Sequence, residues 1–129
     1  MKNVAEVHLE NLEVNSECKF LTQEIDFFLK LLKKSYSHTR DRDKIKIFDA
    51  YWKQFEALQS SLIDLMDKIR AREKDITILL KDDLADVEQT QLKDGEIIKV
   101  FYETLKEIRV LKESFFSFMS NNSEECKCS

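Results

Sequence analysis

Across 129 residues this chain has no proline and a single glycine. Those two residues break helices and build tight turns, bulges and hairpins. A sheet protein needs a steady supply of turn formers between its strands, and this chain has almost none. What remains are long, charged stretches studded with leucine, isoleucine and phenylalanine, which can run as helix for many turns. Disorder is excluded by the apolar content: nine Phe, three Tyr and one Trp supply large surfaces for burial. The chain is therefore read as all-α and long enough for one domain with a real core.

Apolar residues recur three and four apart in three long stretches, as a buried helical stripe requires. The first spans about Asn3 to Tyr36, with a seam of Val4, Val7, Val14, Cys18, Leu21, Ile25, Phe28 and Leu32. Asn11 falls on that seam; an Asn there either fixes register from a buried position or, near a helix end, is simply hydrated. Ser35–Asp43 is a polar break, with Thr39, Asp41 or Asp43 able to cap the next helix. The second stretch spans about Asp43 to Lys81 and includes Phe48, Trp52, Phe55, Leu62, Ile69 and Ile76. Glu73 interrupts its seam, which predicts a bend or opening near Arg70–Asp75. Residues 82–95 form an acidic second break ending at the only glycine. The third helix is predicted from Asp94 or Glu96 to Ser120, with Phe101, Leu105, Ile108, Leu111 and Phe115 inward.

The predicted architecture is an elongated antiparallel three-helix bundle over residues 1–120, followed by a disordered polar tail, 121–129. A four-helix up-down bundle with a break near Arg72 is the alternative. Three segments carry a resemblance: H-L-E-N-L-E from His8 to Glu13, S-E-C-K-F-L-T-Q-E-I after it, and the closing L-K-E-S-F-F-S-F-M. Together they resemble a family of short, uncharacterised, all-helical bacterial proteins with H-L-E-N-x-E near the start and a phenylalanine-rich last helix. The resemblance implies three helices and carries no activity. Members have more histidines than the His8 and His38 present here, so no metal role is carried over.

The sequence offers little chemistry. A di-iron bundle needs Glu-x-x-His pairs, and there are none. His8, between Glu6 and Glu10, reads as part of a solvated helix face, and His38 as a surface residue near a helix end. Cys18 lies on the apolar seam and reads as a small core residue. One glycine cannot build a phosphate-binding loop. The suggestive element is Cys126-x-Cys128, whose thiolates could hold a soft ion such as Cu(I) or Zn(II), or act as redox thiols. An aromatic-lined cavity around Trp52, Phe55 and Phe101 would mark a ligand site. No cofactor and no enzymatic activity are expected.

Net charge is −4, which argues against nucleic acid as a partner. No stretch is long and apolar enough to predict a membrane span, and a cytoplasmic address is expected. In an antiparallel bundle one end gathers Lys30, Lys33, Lys34, Arg40 and Arg42, and the other gathers Glu6, Glu10, Glu13, Asp82 and Asp83. Beside its seam the first helix carries a second apolar row: Leu9, Leu12, Phe20, Phe27 and Leu31. Two neighbouring helices cannot cover all of it. The expected function is thus a non-enzymatic interaction or structural module that self-associates, as a homodimer, through this row or docks another protein. The alternative is a small metal or redox protein using the cysteine tail.

Overall fold

A computed structural model describes the backbone of residues 4–81 and 87–127 and the side chains of residues 5–78 and 95–121. Three helices follow in chain order: α1 over Val4–Ser37, α2 over Arg42–Lys81 and α3 over Val87–Lys127. Among the described residues there is no strand. At about 1.5 Å of rise per residue the helices are roughly 50–60 Å long, so the bundle is elongated. The helices run up, down and up. α2 is central, packing extensively on both α1 and α3, while α1 and α3 touch each other least.

Local chemistry sets the first turn. Asp41 caps α2: its Oδ1 accepts the backbone N–H of Asp43 at 2.9 Å and of Lys44 at 3.4 Å. The Thr39 hydroxyl accepts the Asp41 N–H at 3.3 Å and orients that cap. The Glu6 carboxylate in the first turn of α1 and the Lys34 ammonium in its last turn both suit the helix dipole.

Three points differ from the sequence reading. α2 is continuous through Arg72, so the four-helix alternative is overturned and no break opens near Arg70–Asp75. α3 starts at Val87, ahead of Asp94, and Gly95 lies inside it, exposed, with nothing within 4 Å of where a Cβ would stand. One interior glycine costs about 1 kcal/mol relative to alanine, too little to end so long a helix. α3 also continues past Ser120 to Lys127. Beyond Asn121 the side chains of the expected tail lie outside the described residues.

The core follows the predicted seams. Val7, Val14, Cys18, Leu21, Ile25, Phe28 and Leu32 of α1 are all buried, facing Phe55, Leu62, Leu65 and Ile69 of α2. Its centre is aromatic: the Phe55 ring lies 5.3 Å from both Phe28 and Phe115, edge-on to the latter. Polar bridges flank this centre. Tyr51 and Ser114 share a hydrogen bond of 2.7 Å between α2 and α3. Gln59 of α2 donates to the Thr22 carbonyl at 3.1 Å and to Asp26 at 2.8 Å on α1. Lys112 of α3 reaches Glu24 of α1 at 2.6 Å.

Candidate functional site

α1 presents two apolar faces. The inner one is the core seam. The outer one is the row read from the sequence, and four of its five members stand in solvent: Leu9 is 59% exposed, Leu12 49%, Phe20 60% and Phe27 60%. Their spacing of three, seven or eight keeps them on one stripe of the helix, turned away from α2. Leu31 is different; it is half-buried and packs against the core at the edge of the stripe.

The row reaches a neighbour that sequence reasoning missed. Phe27 meets Phe28 edge-on at 5.9 Å, and Phe28 meets Phe116 of α3 edge-on at 5.4 Å. Phe116 is itself half exposed. The buried Phe28 ring thus stands between the exposed Phe27 of α1 and the half-exposed Phe116 of α3. The available signal was the pair of phenylalanine doublets, 27–28 and 115–116. Adjacent residues on a helix point about 100° apart, so one ring of each doublet had to leave the core.

Toward the other end of the bundle the α1–α2 seam is polar. Asn11 is buried, and its Nδ2 donates to Glu73 Oε1 at 3.0 Å. His8 Nδ1 donates to the other carboxylate oxygen, Oε2. A carboxylate only accepts, so the proton in that contact belongs to the imidazole. Glu73 thus does not open the helix. It fills its gap in the seam by holding two groups of α1. This corrects the hydrated reading of Asn11 and gives a partner to His8, whose side chain is still 45% exposed. Beside it, Arg72 is also buried and pairs with Asp75 at 3.6 Å. The cluster ties α1 to α2 but lacks a nucleophile or a second imidazole.

The remaining candidates resolve simply. Cys18 is fully buried and unpaired. Burial, with Glu17 alongside, pushes its thiol from 9.0 up to about 11, so it is a protonated core residue. His38 lies exposed just past α1, its backbone N–H donating to the Ser35 carbonyl at 3.2 Å. Cys126 and Cys128, as ligands or thiols, lie outside the residues whose side chains are described. Among the described residues no group of three or more His, Cys, Asp or Glu side chains could hold a metal ion. Nor is any described helix long and apolar enough to cross a membrane.

Phe55 is fully buried between Phe28 and Phe115, so the aromatic centre is filled rather than hollow. Concavity occurs instead between α2 and α3, as an open groove of about 730 Å³. Ile47, Ala50, Ala57 and Val110 line it, with Lys106 and Glu107 at its side. The small alanines leave the space, and the Ser114 hydroxyl that also lines it is hydrogen-bonded to Tyr51. No family description, curated protein or solved structure matches the chain.

Proposed function

We propose that this protein is a non-enzymatic helical interaction module that associates with itself through the outer face of α1, in the cytoplasm. One observation carries the reading: Leu9, Leu12, Phe20 and Phe27 stand 49–60% exposed along a single stripe. Together they offer water on the order of 400 Å² of apolar surface, within the range of about 300–600 Å² of the largest patch on a monomer, which is often functional. That is about half of the roughly 800 Å² each partner contributes to a stable complex. Phe116 and the polar flanks of α1 can supply the rest. A symmetric pair would set the same patch against itself. A net charge of −4 disfavours nucleic acid as the partner. The buried, unpaired thiol of Cys18 suits a reducing compartment.

The test is light scattering on the intact chain and on Phe20→Glu with Phe27→Glu. Both positions are exposed in the single chain, so the double variant should stay helical by circular dichroism while the dimer separates into monomers. A mass unchanged by the double variant would remove the reading.

A further inference from the structure

The exposed row of α1 has a second bank on α3. Resting on the self-association reading, we propose that the second copy covers both helices. It would lie on the row of α1 and on a strip of α3 made by Tyr102, Arg109 and Phe116, about a two-fold axis over the furrow between them.

Contacts within one chain place the strip beside the row. Lys112 of α3 reaches Glu24 of α1 at 2.6 Å. On α1, Phe20 lies four residues before Glu24 and Phe27 three after it, so both rings share the side of the helix that looks along α3. On α3, Arg109 and Phe116 flank Lys112 at the same spacings, and Tyr102 lies one heptad before Arg109. The Phe116 ring agrees with that side, standing 5.4 Å from Phe28 of α1. α1 and α3 both run up, and the pairs Glu24–Lys112 and Phe28–Phe116 keep one offset between them. The same offset sets Phe27 level with Phe115 and Phe116, Phe20 with Ile108 and Arg109, and Leu9 with Ile97 and the half-buried Ile98. Because α1 and α3 touch each other least of the three helix pairs, these two rows are the banks of a shallow furrow rather than a closed seam.

Area identifies the occupant. Tyr102 is 63% exposed and Phe116 50%, with Arg109 exposed between them. The two rings add on the order of 200 Å² to the roughly 400 Å² of the α1 row. The α1 row alone stops at half of the roughly 800 Å² that each partner gives to a stable complex; both banks together come near it. Phe, Tyr and Arg are also the side chains that interfaces enrich. A two-fold axis over the furrow sets this face against its own copy, and α1 and α3 of both chains then enclose a second apolar core.

The experiment is sedimentation equilibrium of the full chain and three variants, each checked for helicity by circular dichroism. Tyr102→Glu with Phe116→Glu should weaken the dimer about tenfold or more, as buried interface aromatics do when lost. Val110→Glu is the contrast. Val110 is 62% exposed on the other side of α3, where it lines the α2–α3 groove, and its change should leave the dimer within about twofold. Phe20→Glu with Phe27→Glu separates the two levels. If it dissociates the dimer while Tyr102→Glu with Phe116→Glu does nothing, the α1 row stands and the α3 bank falls. Dissociation by Val110→Glu as strong as by the Tyr102 and Phe116 changes would overturn the choice of face. A chain that is monomeric throughout removes both readings. Hydroxyl-radical labelling of the unaltered chain reads the face even if a variant fails to fold. Tyr102 and Phe116 should become protected together with Phe20 and Phe27 as concentration rises, while Val110 stays labelled; a Tyr102 equally labelled in monomer and dimer would overturn the proposal.

Discussion

Phe27 and Phe28 are chemically identical neighbours on α1 with opposite surroundings. Phe28 is 3% exposed, with Phe55 and Phe115 within 5.6 Å; Phe27 is 60% exposed and meets a ring only at Phe28. The same contrast extends along the helix. The inner face holds the core, an Asn with a carboxylate partner and a protonated thiol. The outer face holds a comparable run of leucine and phenylalanine, exposed among the described residues. Folding of one chain accounts for the first face and leaves the second as surplus. Apolar side chains that add nothing to the bundle are what an interface made after folding requires.

The contrast breaks most visibly on truncation of its inner member. Phe28→Ala should destabilise the fold by about 3–5 kcal/mol in chemical denaturation, through lost burial plus a cavity among three rings. A cost below about 1 kcal/mol would mean that the aromatic centre is loosely packed.

Cys18 sharpens the inner face through pH. Its folded thiol keeps the proton to about 11, whereas the unfolded chain releases it near 9.0. The stability this provides is complete below pH 9 and is lost as pH rises from there through 11, by on the order of 2 kcal/mol. Urea titrations across that range should show the loss for the native chain and a shallower one for Cys18→Ala. Equal slopes would place the thiol in water.

Glu73→Ala should cost about 1–2 kcal/mol, because it strands the buried Nδ2 of Asn11. Asn11→Leu should cost less or raise stability, since Asn11 Oδ1 is buried without a hydrogen-bond partner. Equal losses for the two changes would show that Asn11, rather than its pairing, is what the α1–α2 contact needs.

The smallest effect belongs to the outer ring. Phe27→Ala, measured at concentrations where the chain is monomeric, should cost about 0.5–1 kcal/mol, the worth of one edge contact with Phe28. A loss as large as that of Phe28→Ala would erase the distinction between the faces.

Much of this fold was legible because one signal dominates it. Without prolines, and with one glycine, periodicity alone places the seams, and among the described residues the buried positions of α1 are those that the spacing picks out, with Leu29 added. The outer row was legible for the same reason, since residues off the seam at helical spacing must form a second stripe. Pairing was less legible. Glu73 reads as an interruption along one helix and becomes a partner only once Asn11 and His8 of another helix are brought to it. A one-dimensional pattern carries no such information. The start of α3 was hidden because composition marks Gly95 as a stop, while its cost is small against the length of the helix. Phe116 was missed because a doublet says that one ring leaves the core but not which helix it then approaches.

The central claim is that the outer face of α1 is covered by a second copy. The most direct measurement is the mass of the unaltered chain by sedimentation equilibrium at rising concentration and low salt. The account predicts a shift from the 15.3 kDa of one chain to twice that value, with helicity unchanged. A mass that stays at 15.3 kDa up to millimolar concentration would contradict it.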